Sequence, residues 1–264
     1  MRLRISRMLS LGAVGTGAAI FLLAFLSPAL LTQYAAFLSL LLLIFLIGVM
    51  FAKFEQSQMS SKEVALIGIL AAITVASRIP FAALPNIQPC TFLIIATGLI
   101  FGPMAGIMVG SLTAAVSNIF LGQGPWTLWQ MIAWAMVGAT AGVFGKRYPE
   151  AGVKDIVLLG VVLGMAYNTL MDLSSWITFY RSDPSLFIPT MVTGLPYGAL
   201  HVAGNVVFAI VLGKPVLMLF RRFQKRFRVT YESGTQGKDG EPRRSKEPVP
   251  SVDGLLDEQP INSG

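Results

Sequence analysis

The sequence predicts an all-α fold, a polytopic membrane helix bundle in which two extra N-terminal transmembrane helices precede a six-helix core. Three observations carry that prediction. Of 264 residues, 54% are hydrophobic and only 12% charged, about half the charged fraction of an ordinary soluble domain. The apolar residues fall in successive runs of about 20, the length that crosses roughly 30 Å of hydrocarbon. Basic residues flank these runs or gather after the last one, as membrane topology requires.

The elements follow in order. MRLRISR and the apolar run behind it resemble a secretory signal, but the run continues from Met8 to about Leu26. That exceeds the usual ~7–15-residue apolar region, and no A-x-A-like cleavage site follows. We read an uncleaved first helix at about 8–27. Pro28 suits the first turn of a second helix, about 28–52. Ser60 and Glu63 have capping-box spacing ahead of Val64 and start a third at about 62–80.

The run FLIIATGLIFGPMAGIMVGSLTAAVSNIF reads either as one kinked span or as a hairpin of two. Gly102-Pro103 favours a break, and charge placement decides it. With helices at about 90–102 and 104–121, then 126–145, 155–179 and 190–219, both termini face the cytoplasm. Of the 20 Lys and Arg residues, only Arg78 and Arg181 then lie on the other side. A single span would instead carry RRFQKRFR outside, against the positive-inside bias. The expected organisation is residues 1–61 as the two additional helices, 62–220 as the core, and 221–264 as a basic juxtamembrane segment and cytoplasmic tail. From about Thr230 the tail is rich in Gly, Ser, Pro and charge, so disorder is expected there. RRFQKRFR suits anionic lipid headgroups.

Composition also excludes function classes. The net charge of +7 follows membrane topology and does not indicate a nucleic-acid partner. The single cysteine, Cys90, allows no internal disulfide and no multi-cysteine zinc site. With one histidine, His201, a metal centre is not expected, nor is any cofactor. There is no G-x-x-x-x-G-K-[ST] phosphate loop, no H-E-x-x-H and no G-x-S-x-G. An enzyme is therefore not expected.

Two rows of small residues stand four apart, a spacing that lets helices approach closely in lipid. Gly106, Gly110 and Ala114, ending at Asn118, read as internal packing. Gly68, Ala72 and Ala76 fit either internal packing or docking to another membrane subunit.

Ionisable groups within a span are costly and default to functional candidates. The seventh helix carries Gly160, Gly164, Asn168, Asp172 and Trp176 on one face, and the eighth carries Tyr197, His201 and Asn205 at the same spacing. Measured inward from the outer ends, Asp172 and Tyr197 lie roughly 10 Å deep, and Asn168 and His201 roughly 16 Å. On the sixth helix Gln130 lies at about 6 Å and Trp134 at about 12 Å. Three helices thus place polar and aromatic groups in one outer-half layer. The layer reads as a ligand pocket open to the outside, with mutual interhelical hydrogen bonding as the alternative. The connection LGQGPWTLWQM, with Trp126 and Trp129 suited to the membrane interface, reads as both anchor and pocket rim.

SRIPFAALPNIQP, LIFGPMAGIMVGSLTAAVSNIFLGQGPWTLWQM and GALHVAGNVVFAIVLGKP resemble the substrate-specific (S) components of energy-coupling factor (ECF) transporters across about 62–219. The resemblance implies a substrate-binding subunit of the bacterial cell (inner) membrane that captures a vitamin from outside. Cobalamin is the closest-looking substrate, with riboflavin, a thiamine precursor or a queuosine-related compound as alternatives. It further implies a transmembrane coupling subunit and two ATPase subunits as partners, ATP hydrolysis residing only in the latter. Docking would map to Ala72 and Ala76 with Gly68. The candidate substrate-binding residues are Trp126, Gln130, Trp134, Asn168, Asp172, Trp176, Tyr197, His201 and Asn205. The competing reading is a non-transporting membrane structural or assembly protein.

Overall fold

The computed structural model describes residues 2–56, 61–180 and 182–232, and among them eight α-helices and no strand occur. They are α1 (Arg2–Leu26), α2 (Pro28–Gln56), α3 (Ser61–Arg78), α4 (Cys90–Phe101), α5 (Pro103–Leu121), α6 (Pro125–Arg147), α7 (Val153–Ser175) and α8 (Phe187–Glu232). Short 3-10 turns at Ile79–Phe81 and Pro184–Leu186 lie in the α3–α4 and α7–α8 connections. Five stretches of the described residues are long and apolar enough to cross a membrane: Lys62–Phe81, Pro103–Leu121, Pro125–Arg147, Val153–Tyr180 and Pro184–Lys225. The chain is a multi-pass membrane protein.

Gly102 makes the break expected in the middle of the apolar 90–121 run. Its φ of +90° is a backbone region that residues with a Cβ rarely adopt, and Pro103 then starts α5 with no N–H to leave unpaired. Gly102 lies beside the Lys146 side chain, so the α4–α5 turn sits at the same end of the bundle as the last turn of α6. Helix α4, only 12 residues long, is the centre of the bundle, with Cys90 to Ile100 all buried. At about 1.5 Å per residue it falls short of a bilayer on its own, and the surrounding helices shield its ends.

Two features differ from the sequence expectations. Helix α8 does not stop near residue 219 but runs on to Glu232, so RRFQKRFR and Thr230 are helical. Arg221 Nη2 donates to the Ala151 carbonyl at 2.6 Å, and the Gln224 amide donates to the Ile100 carbonyl. These bonds tie α8 to the α6–α7 turn and to the end of α4. Helix α7 ends in a π-helical turn, Trp176–Tyr180, a local widening that often accompanies functional sites. Ser60 of the expected capping box, Arg181 and the tail from residue 233 lie outside the described residues.

Candidate functional site

Glycine contacts set the positions of the site helices. A Cβ on Gly106 of α5 would strike the Gly138 backbone of α6, and one on Gly138 would strike Gly106. Gly110 meets the Trp134 backbone in the same way, and Gly98 of α4 meets the Gly138 carbonyl. Only hydrogen in place of a side chain permits this approach. The buried row Gly106, Gly110 and Ala114 is therefore internal packing, as expected. Its continuation brings Asn118 against α6 and Thr91 of α4 against Trp134.

A cavity of about 300 Å³ is lined by Asn86, Gln130, Tyr167, Asn168, Met171, Asp172 and Tyr197. Helix α6 supplies Gln130, α7 supplies Tyr167 to Asp172, α8 supplies Tyr197, and the α3–α4 loop supplies Asn86. Asn86 has φ +59°, a left-handed conformation that Asn tolerates better than most residues. Its Nδ2 donates to Asn168 Oδ1 at 2.9 Å and to the Tyr197 carbonyl at 3.0 Å. Asn168 Nδ2 donates to Asp172 Oδ2 at 3.1 Å and to the Gly194 carbonyl at 3.3 Å. The Asp172 carboxylate packs directly on Gly194, where a Cβ would overlap it.

Next to the cavity stands an aromatic column. The Trp134 and Tyr167 rings stack at 5.1 Å and 15°, and Tyr167 and His201 stack at 5.1 Å and 18°. Arg78 Cζ lies 5.0 Å from the Trp134 ring centre, a cation–π distance. Hydrogen bonds lock the column from the side. Trp134 Nε1 donates to Thr91 Oγ1 at 2.9 Å, and Thr91 Oγ1 lies 3.1 Å from His201 Nε2. His201 Nδ1 is 3.2 Å from the Asn86 carbonyl, an acceptor only, so Nδ1 carries the proton. The neutral Nδ1–H tautomer satisfies the whole chain, with Thr91 accepting from Trp134 and donating to Nε2.

Arg78 is 7% exposed at the end of α3, and neutral side chains hold it. Its Nε donates to Gln88 Oε1 at 2.9 Å, and Nη1 donates to Ser117 Oγ at 2.5 Å and Asn118 Oδ1 at 2.7 Å. Asn118 Nδ2 in turn donates to Gln130 Oε1 at 2.7 Å and to Thr127 Oγ1 at 2.8 Å.

Of the nine residues singled out from sequence, Gln130, Asn168, Asp172 and Tyr197 line the cavity, while Trp134 and His201 form the column beside it. Asn205 is buried one turn further along α8, with Nδ2 3.5 Å from the Gly160 carbonyl. Trp126 is 41% exposed and folds back over its own turn, donating to the Gly122 carbonyl at 3.3 Å. Trp176 packs edge-on against Phe187 at 5.2 Å. Neither of these last two lines the cavity. Sequence reasoning missed Arg78, Asn86, Thr91, Asn118 and Tyr167. The one available signal was Arg78, a cation on the side of the bundle opposite to nearly all the others.

Residues 58–222 match the family described as "ECF-type riboflavin transporter, S component". The chain belongs to that family. Among curated relatives, the S component is 26% identical over 186 residues to a UPF0397 protein of Vibrio atlanticus, covering 64% of this chain and 96% of that one. It is 25% identical over 185 residues to a UPF0397 protein of Aliivibrio salmonicida, covering 64% of this chain and 94% of the relative. A UPF0397 protein of Streptococcus pneumoniae is 26% identical over 125 residues, 44% of this chain and 68% of its own. No solved structure matches. The S component is thus a substrate-binding membrane subunit of an ECF transporter rather than an enzyme, and the family implies a membrane coupling subunit and ATPase partners. The matched region begins just before α3 and leaves α1 and α2 outside it.

Proposed function

We propose that this S component captures a small, flat vitamin of the riboflavin class from outside the cell and delivers it through an ATP-driven partner module. The observation that carries the reading is the cavity lined by Gln130, Asn168, Asp172 and Tyr197 from three helices and by Asn86 from the α3–α4 loop. At about 300 Å³ it lies at the lower end of the roughly 300–1,000 Å³ of small-molecule sites. A two- or three-ring heterocycle matches that space. Cobalamin, favoured by the sequence resemblance, is several times larger and would require the α7–α8 face to open. The family's description also names riboflavin.

Docking to the coupling subunit is assigned to α3. Gly68, Ala72 and Ala76 all lie on its exposed face, flanked by Ile69 at 57% and Ile73 at 51% exposure. No atom lies within 4 Å of where a Gly68 Cβ would stand. Small residues with open space before them allow a partner helix to approach closely. With both termini cytoplasmic, Lys146, Arg222 and Lys225 lie on the inner side and the cavity on the outer.

The test is a binding titration of the purified subunit against riboflavin, thiamine, a thiamine-precursor aminopyrimidine, queuine and cobalamin. Submicromolar binding of riboflavin or another small heterocycle is expected. Binding of none would reject transport in favour of a structural or assembly role.

A further inference from the structure

Hydrogen-bond polarity in the site is forced by one residue. Arginine carries donors only, so the Asn118 atom 2.7 Å from Arg78 Nη1 must be its carbonyl oxygen. The Asn118 nitrogen therefore points the other way, and it meets Gln130 at 2.7 Å. A donor there requires an acceptor, so that Gln130 atom is Oε1. The Gln130 amide nitrogen carries two protons; one meets the Tyr167 hydroxyl, and the other is what remains for the cavity that Gln130 lines.

The opposite wall has the reverse sense. Asp172 offers only acceptor oxygens when ionised and receives one bond from Asn168. The Asn86 nitrogen is committed to Asn168 and to the Tyr197 carbonyl, which leaves the Asn86 oxygen as its second function.

Resting on the reading of this cavity as the substrate site, we infer that Arg78, acting through Asn118, makes the site dipolar. Its substrate class is a heterocycle that presents a hydrogen-bond acceptor, a ring carbonyl or ring nitrogen, to Gln130. The same ligand presents an N–H or O–H donor to Asp172. Arg78 is a positioning residue in this scheme and touches no ligand. A ligand with acceptors on both edges, or one bearing an anionic group toward Asp172, leaves a buried acceptor facing an acceptor and is rejected.

The experiment uses the full-length purified protein and the same five compounds, with near-isosteric variants whose folding is checked by thermal unfolding. For the compound that wild type binds, Gln130→Glu turns the donor into an acceptor while still accepting from Asn118. It is expected to weaken binding at least tenfold. Asp172→Asn is expected to weaken it by a similar factor. Arg78→Lys, which retains a donor toward Asn118, is expected to hold affinity within about threefold of wild type. Arg78→Met, matched for bulk, is expected to lose binding. Unchanged or tighter binding in Gln130→Glu, or equal affinity in the folded Arg78→Lys and Arg78→Met variants, would overturn the inference while leaving the transport reading intact. Binding of none of the five by wild type would remove the site and the inference together.

Discussion

The indole N–H of Trp134 donates to the Thr91 hydroxyl at 2.9 Å, joining the first turn of α4 to the middle of α6. Thr91 passes the bond on to His201 of α8, so one small side chain couples three helices. Trp134→Phe keeps the stack with Tyr167 but removes the donor. A net loss of about 1 kcal/mol is expected, read as a modest fall in the midpoint of thermal unfolding in detergent.

Asp172 and His201 separate binding from folding. Replacing either singly with Ala is expected to lower vitamin affinity at least tenfold while leaving expression and monodispersity intact. Asp172 is a lining group and His201 holds Asn86 in place. Unchanged affinity in both variants, measured by titration, would reject the cavity as the binding site.

Gly194→Ala reaches the same carboxylate from the other side. The new methyl group occupies the space of the Asp172 side chain and must push it toward the cavity. Weaker binding with little change in unfolding temperature is the expected result.

Gly106 and Gly68 are predicted to respond with opposite sign. Gly106→Ala drives a methyl into the Gly138 backbone, and overpacking of this kind costs about 1–3 kcal/mol. Gly68→Ala meets open space, and Ala favours a helix interior over Gly by roughly 0.5–1 kcal/mol. Thermal unfolding of the isolated subunit measures both.

Ala72→Trp tests the α3 face. The side chain points away from the bundle, so vitamin affinity should stay within about twofold of wild type. Co-purification with a coupling subunit and its ATPases should be lost.

The helices were readable because membrane spans announce themselves by length, and because positive charge fixes which runs must be paired. The Gly102-Pro103 break and the Gly106, Gly110, Ala114 row belong to that legible part. The end of α8 was not readable from hydropathy. The residues beyond 219 leave the apolar register, yet Arg, Gln and Lys are good helix formers and simply continue the turn. Within the site, Asn168 and Asp172 on α7 and Tyr197 and His201 on α8 stood out because polar groups four apart share a face. Asn86 lies in a loop, where no periodicity exists to mark it. Tyr167 is one residue, and so about 100° of helix rotation, from the face defined by Asn168. Arg78 looked like a topological charge at a helix end. Its role appears only when α5 and α6 close around it. Trp126 and Trp176 were expected at the pocket, but Trp126 folds over its own turn and Trp176 packs against Phe187.

Helix α3 turns Ala72 and Ala76 outward, and two residues later it turns Arg78 into the column beside Trp134. A helix this short behaves as a stiff rod, so a push on its outer side is delivered at its inner tip. A tilt of α3 imposed from outside would slide the guanidinium across the indole face and pull on Asn118 and Gln130 together. The face proposed for docking and the arginine proposed to orient the cavity thus share one short helix, with Ala72 and Arg78 separated by less than two turns.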